Sequence, residues 1–153
     1  MSNQQALNAY FGRVIKDLRS DQAAKNIRAS GESAASLKST ASESGGQLVG
    51  SSYFYQQIMG RKPGKFAPPD AILKWIQEKG ITPRDPKTSL KSLAYLINRK
   101  LATKGTDIFL NKRPGLSFDD ITQGSNMEQL LADVMHNKVK EVISFLKTEI
   151  EKA

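Results

Sequence analysis

Cysteine is missing from all 153 residues of the chain, and that absence removes a disulfide framework, a thiolate zinc site and a cysteine nucleophile together. It is consistent with a reducing compartment, or with an assembly built in one. Long apolar runs are missing too: none approaches the roughly 18 to 20 residues needed to cross a bilayer, so no membrane partner is expected. Residues 1–5 lack a charged region followed by an apolar core, which predicts a chain not secreted by a cleaved signal. Histidine occurs once, at His136, beside Met135 and Asn137. With no second histidine and no thiolate to share a metal, a packing or solvent-facing role is expected there. Acids are in deficit, with 15 Asp and Glu against 23 Lys and Arg for a formal charge of +8. Such a surface attracts phosphate backbones or acidic protein surfaces without choosing between them. The basic residues form local groups at Arg61, Lys62 and Lys65, at Lys87 and Lys91, at Arg99, Lys100 and Lys104, and at Lys112 and Arg113. Most of this dispersed charge reads as solvated surface.

What is present sorts into elements. Leu7, Tyr10, Phe11, Val14, Ile15 and Leu18 recur every three or four residues, the stripe of an amphipathic helix over about 4–27 that ends at 28–31, where Gly31 accepts a left-handed conformation. Residues 33–42 and 46–52 read as two short strands around the turn Glu43, Ser44, Gly45, Gly46. Both are poor in β-branched residues, and their serine content equally suits a loop. The block Tyr53, Phe54, Tyr55, Gln56, Gln57, Ile58, Met59 is expected to pack onto this hairpin and to stop at Gly60. Residues 61–69 hold three prolines, one glycine and three basic side chains, a surface loop of the kind where partner contacts concentrate.

Pro69 suits the first turn of a helix, Asp70 adds negative charge at its positive end, and Gly80 lies just past Lys79; Ile72, Leu73 and Ile76 supply the buried side. A second short helix runs over about 89–102, with Leu90, Leu93, Ala94, Ile97 and Leu101 on one face, and Gly105 ends it. Over about 104–124 the pattern weakens to an irregular arm or short strand, anchored by Phe109, Leu110, Leu116, Phe118 and Ile121. Ser125 or Asn126 caps a last long helix whose stripe is Leu131, Met135, Val139, Val142, Leu146 and Ile150. The expected fold is therefore α+β: long N- and C-terminal helices packed with a small antiparallel hairpin and two short helices, in one domain over 1–153.

No catalytic set emerges. Asp119 and Asp120 are adjacent and point different ways, with no third carboxylate at a spacing that completes a site. Gly45 and Gly46, and the run from Gly60 to Gly64, lack the Lys-Ser/Thr ending of a phosphate loop. Catalytic residues, metal ligands and cofactors are therefore assigned to none, and the chain is expected not to be an enzyme.

Three groups of motifs follow one another in order: Ser-Gly-x-Ser-x-x-Ser-Leu at 30–37 after a long helix; an aromatic block leading into Gly60, Arg61 and a proline-rich loop; and Ile72-Leu73-Lys74-Trp75-Ile76 with Lys79-Gly80-Ile81-Thr82-Pro83, then Ser92-Leu93-Ala94-Tyr95-Leu96-Ile97 and Arg99-Lys100. That order resembles the minor tail and tail-completion proteins of the head-tail neck of tailed bacteriophages. The resemblance covers roughly residues 1–110, and the last helix fits by position. The chain departs from commoner members by carrying Ile27-Arg28-Ala29-Ser30-Gly31 before the hairpin and a longer insertion over 62–112.

The resemblance implies a virion structural protein assembled in the bacterial host cytoplasm. Copies would form a ring, a hexamer or dodecamer, joining connector to tail, with DNA passing through the channel without specific binding. A ring uses head-to-tail interfaces, so Phe66, Phe109, Leu110, Leu116 and Phe118, apolar residues in loop-like sequence, are interface candidates, and Arg61, Lys62 and Lys65 are candidates for an acidic neighbour in preference to DNA in the channel, whose passage basic contacts to phosphates would slow. The plain alternatives are that the apolar residues anchor the arm on its own domain and that the basic loop is solvated. The competing class is a basic nucleic-acid-binding module with Trp75, Tyr53 and Tyr55 as stacking platforms, against which the apolar neighbours of Trp75 argue for burial.

Overall fold

The computed structural model describes residues 1–152 and has an α+β fold. Its elements are α1 (Asn3–Ala24), α2 (Glu32–Ser36), β1 (Lys38–Ala41), β2 (Gly46–Val49), α3 (Tyr53–Met59), α4 (Pro69–Lys79), α5 (Leu90–Lys104), α6 (Phe118–Gln123) and α7 (Ser125–Glu151). They divide into two compact units, neither continuous in sequence: one of residues 1–19, 37–49 and 117–153, the other of 20–36 and 50–116.

In the first unit the stripe of α1 is the core. Ala6, Tyr10, Phe11, Val14 and Leu18 are buried, with Leu37 and Leu130. The rings of Tyr10 and Phe11 meet edge to face at 5.2 Å. The two strands pair antiparallel with Ser39 opposite Leu48 and Ala41 opposite Gly46, and Ser42 closes the turn by donating to the Gly45 carbonyl from its backbone N–H at 2.7 Å. The hairpin lies on α1: Gln4 donates to the Ala41 carbonyl, and a Cβ on Gly46 would fall 2.5 Å from the Phe11 ring, so only glycine fits that approach.

The far end of the unit is pinned by polar groups. Tyr10 donates its hydroxyl to the Thr122 carbonyl at 2.9 Å. Asn126, 7% exposed, accepts from Arg13 Nε and donates to Asp17 and to the Ile121 carbonyl. Asn137 donates to Asn3 at 3.2 Å. These bonds hold α7 by a partly polar face.

The second unit is built around α4 and α5, where Ile72, Ile76 and Ala94 are buried under Leu73, Trp75, Leu93, Ile97 and Leu101. α4 has the boundaries its sequence announces: Pro69 opens it, and Gly80, at φ 65°, closes it with Ile81 N–H donating to the Ile76 carbonyl. Ser89 caps α5 by accepting from Ser92 N–H.

Five local expectations are corrected. α1 ends at Ala24, because Asn26 takes the left-handed conformation (φ 51°) and Ile27 N–H reaches back to the Gln22 carbonyl. Gly31 instead precedes α2, and residues 33–36 of the expected strand over 33–42 are helix. The aromatic block is the helix α3, with Tyr53, Tyr55 and Met59 exposed. Part of the expected arm is the helix α6. Gly124 occupies the position before α7, and the side chain of Asn126 bonds to Asp17 and Ile121 instead of capping.

Candidate interaction surfaces

The candidate contact residues of the second unit come together on a fastened loop and turn. Residues 61–69 are tied at three places. Arg61 N–H donates to Thr106 Oγ1, and Thr106 N–H donates back to the Arg61 carbonyl, both at 2.9 Å. Gly64 N–H reaches the Ala102 carbonyl. Asn98, 2% exposed, holds Ala67 by both its groups, accepting from its N–H at 2.9 Å and donating to its carbonyl at 2.7 Å. A proline-rich segment without strand partners is thus ordered by these three ties, the last of them a side chain that imitates a backbone pair.

The turn that follows α5 sits against the same loop. A Cβ on Gly60 would fall 2.3 Å from the Phe109 N–H, and one on Gly105 would fall 2.6 Å from the Arg61 carbonyl; both glycines have positive φ. These close approaches place Phe109 beside the start of the basic loop. Phe109 is 43% exposed and Phe66 52% exposed, the latter stacked on Tyr95 at 6.1 Å. Lys62 and Lys65 are exposed, and Arg61 donates to the Lys65 carbonyl. Leu110 is half-buried.

Leu116 is a correction. It is 5% exposed and its N–H donates to the Gln57 carbonyl, with Gly115 so close to α3 that a Cβ would lie 2.1 Å from the Ile58 carbonyl. It anchors the arm onto its own unit and leaves no surface for a neighbour. Phe118, in the first unit, is half-buried at the start of α6.

Beside the loop, a cleft of about 600 Å³ has Ile72, Trp75, Ile97 and Leu101 among its apolar walls, and Arg61, Lys79, Lys100 and Arg113 around it with Asp107. Trp75 is half-buried, less covered than its apolar neighbours in sequence suggest. Lys79 donates to the Asn26 backbone and side-chain oxygens, and desolvation, with the Arg113 charge second, lowers its pKa from the usual 10.5. Lys100 meets Asp107 at 3.5 Å in a largely exposed pair, which contributes little to stability.

A polar cluster that sequence reasoning missed lies behind the arm. Gln22 donates to Gln57 Oε1 at 2.7 Å, which also accepts from Ser33 Oγ at 3.0 Å. Gln22 and Gln57 are nearly fully buried. Lys25 bridges Asp21 and the Gly115 carbonyl. Each is an isolated polar letter in sequence, with nothing to mark its partners.

No family model, curated protein or solved structure matches the chain. The functional reading therefore stands on the residues and surfaces of the molecule itself.

In the first unit the surface that stands out is on α7. His136 is exposed there, and so are Leu131, Met135, Val139, Val142, Ile143, Phe145, Leu146 and Ile150, between 47% and 74% exposed. No helix of the described residues is long and apolar enough to cross a membrane. Asp119 and Asp120 stand exposed in the first turn of α6, where negative charge suits the positive end of a helix.

Proposed function

We propose that the chain is a virion structural protein of the head-tail neck of a tailed bacteriophage, a homo-oligomeric ring subunit that joins a connector to the tail apparatus. The observation that carries this reading is the preformed contact surface of the second unit: Phe66 and Phe109 stand exposed on segments tied by Asn98, Thr106 and tight glycines, beside Arg61, Lys62 and Lys65. A rigid aromatic and basic patch suits a head-to-tail contact, because ordering it has already been done at folding and association need not supply that entropy again. The order of motifs over residues 30–100 supports the same assignment. Localisation in the virion, and assembly in the host cytoplasm, belong to this proposal.

The test is the mass of the nucleic-acid-free protein by light scattering across a concentration series. A concentration-dependent hexamer or dodecamer is expected, and Phe66→Ser with Phe109→Ser should lower the mass while leaving the helix content unchanged. A species that never exceeds a dimer, alone or with connector proteins, would overturn the ring.

A second reading draws on the cleft, which brings Trp75 and Tyr53 together with Arg61, Lys79, Lys100 and Arg113. Aromatic faces beside cations suit single-stranded nucleic acid. DNA binding that falls steeply with salt and is lost in Trp75→Ala would favour this module over the ring.

A further inference from the structure

The helix α7 presents its apolar stripe to solvent while its face toward the rest of its unit carries Asn126 and Asn137 among its buried residues. Eight large apolar side chains from Leu131 to Ile150 lie along it, each roughly half exposed or more. Together they form one apolar stripe along the helix, the kind of exposed surface that marks an interaction site. We infer that this stripe is a self-association surface, covered by α7 of a second copy running antiparallel to it.

Charge selects this occupant. From residue 131 to 152 the helix holds four lysines and four acids, so it has no net attraction for an anionic membrane or for an acidic or basic partner. Two of those charges, Lys138 and Glu149, fall on one flank of the stripe, and Val139 and Ile150 fall on the other. A two-fold antiparallel pair matches each flank with the same flank of its partner. Bringing Lys138 to the partner's Glu149 then also brings Val139 to the partner's Ile150, with Val142 and Leu146 at the centre. A two-fold parallel pair would instead turn the charged flank onto the partner's apolar flank, setting Lys138 level with Val139 and Glu149 level with Ile150, and would align the helix dipoles. In the single chain Lys138 meets Glu141 at 2.7 Å and Glu149 meets Lys152 at 2.8 Å. Both pairs are exposed and weak, so they exchange readily.

This goes beyond the ring reading and does not rest on it, because a two-fold contact differs from a head-to-tail one. The chain has no cysteine, so single cysteines report geometry cleanly. Full-length Val139→Cys and Ile150→Cys proteins, mixed and mildly oxidised, should give a 139–150 cross-linked dimer at least several-fold more abundant than either protein alone. In parallel, Val142→Glu with Leu146→Glu, which sets like charges against each other at the centre of the pair, should halve the mass of the smallest associated species with no loss of helix content, since both side chains are exposed in the single chain. Cross-linking of 139 to 139 as strong as to 150, no cross-link above that of an exposed control cysteine at Ala132, or an unchanged mass in the double variant would each overturn the pair. A ring that persists at unchanged mass in the double variant leaves the ring standing and the pair refuted.

Discussion

α1 and α7 carry the same kind of stripe and meet opposite fates. In α1 the repeat of Ala6, Tyr10, Phe11, Val14 and Leu18 is buried, with Val14 and Leu18 fully so. In α7 the repeat of Leu131, Met135, Val139, Val142, Leu146 and Ile150 is exposed throughout. α7 is instead held to its unit by Leu130 and by Asn126 and Asn137. Periodicity states how wide an apolar face is and where it lies. Whether the partner belongs to the same chain is a separate fact, decided by which other surfaces the fold brings near.

The largest test of that contrast is truncation within each stripe. Leu18→Ala should cost about 2 to 5 kcal/mol in urea unfolding, because a fully buried leucine leaves a cavity. Leu146→Ala in dilute protein should stay within about 0.5 kcal/mol of the parent, as an exposed position does. Equal losses at the two sites would erase the distinction between them.

Next comes the polar face of α7. Asn126→Ala removes the partner of a half-buried arginine and of Asp17, and should cost about 1 to 3 kcal/mol. Asn137→Ala, which loses one bond to Asn3, should cost about 1 kcal/mol or less. If both were silent, α7 would be held by something other than its asparagines.

The smallest effect concerns Tyr10, where α1 meets the end of α6. Burial raises its hydroxyl above the ordinary value of 10.0, so the folded state favours the neutral form. Its contribution is complete below pH 10 and is lost as the pH rises through the folded-state value. Tyr10→Phe should lose up to about 1 kcal/mol near neutrality and show a shallower alkaline decline in stability than the parent. An identical alkaline limb in both proteins would remove Tyr10 as its source.

Legibility in the sequence followed the range of the interactions. α4 could be read almost to the residue because Pro69, Asp70 and Gly80 act within one turn of themselves. The hairpin turn at 42–46 was equally local. Residues 33–36 read as strand and fold as helix because a serine-rich segment has no strong period of its own, and a distant bond from Ser33 to Gln57 helps to secure it. Leu116 gave the same letter an interface residue would, and only its bond to Gln57 across the fold shows it as an anchor. Asn98 fastening Ala67 had no signal in sequence, since an asparagine on a helix is ordinary until its partner is known.

By itself the sequence determined the α+β composition, the two striped helices, the ends of α4, the stop of α5 at Gly105 and the positive charge, all of which depend on residues within a few positions of one another. The tertiary structure alone decided which stripe is covered, that the proline-rich loop is held rigid, and that Phe109 stands beside the basic loop while Leu116 is withdrawn. These depend on contacts between residues from 31 to 134 positions apart, where the partner of a side chain is set by the path of the whole backbone and not by its neighbours in the chain.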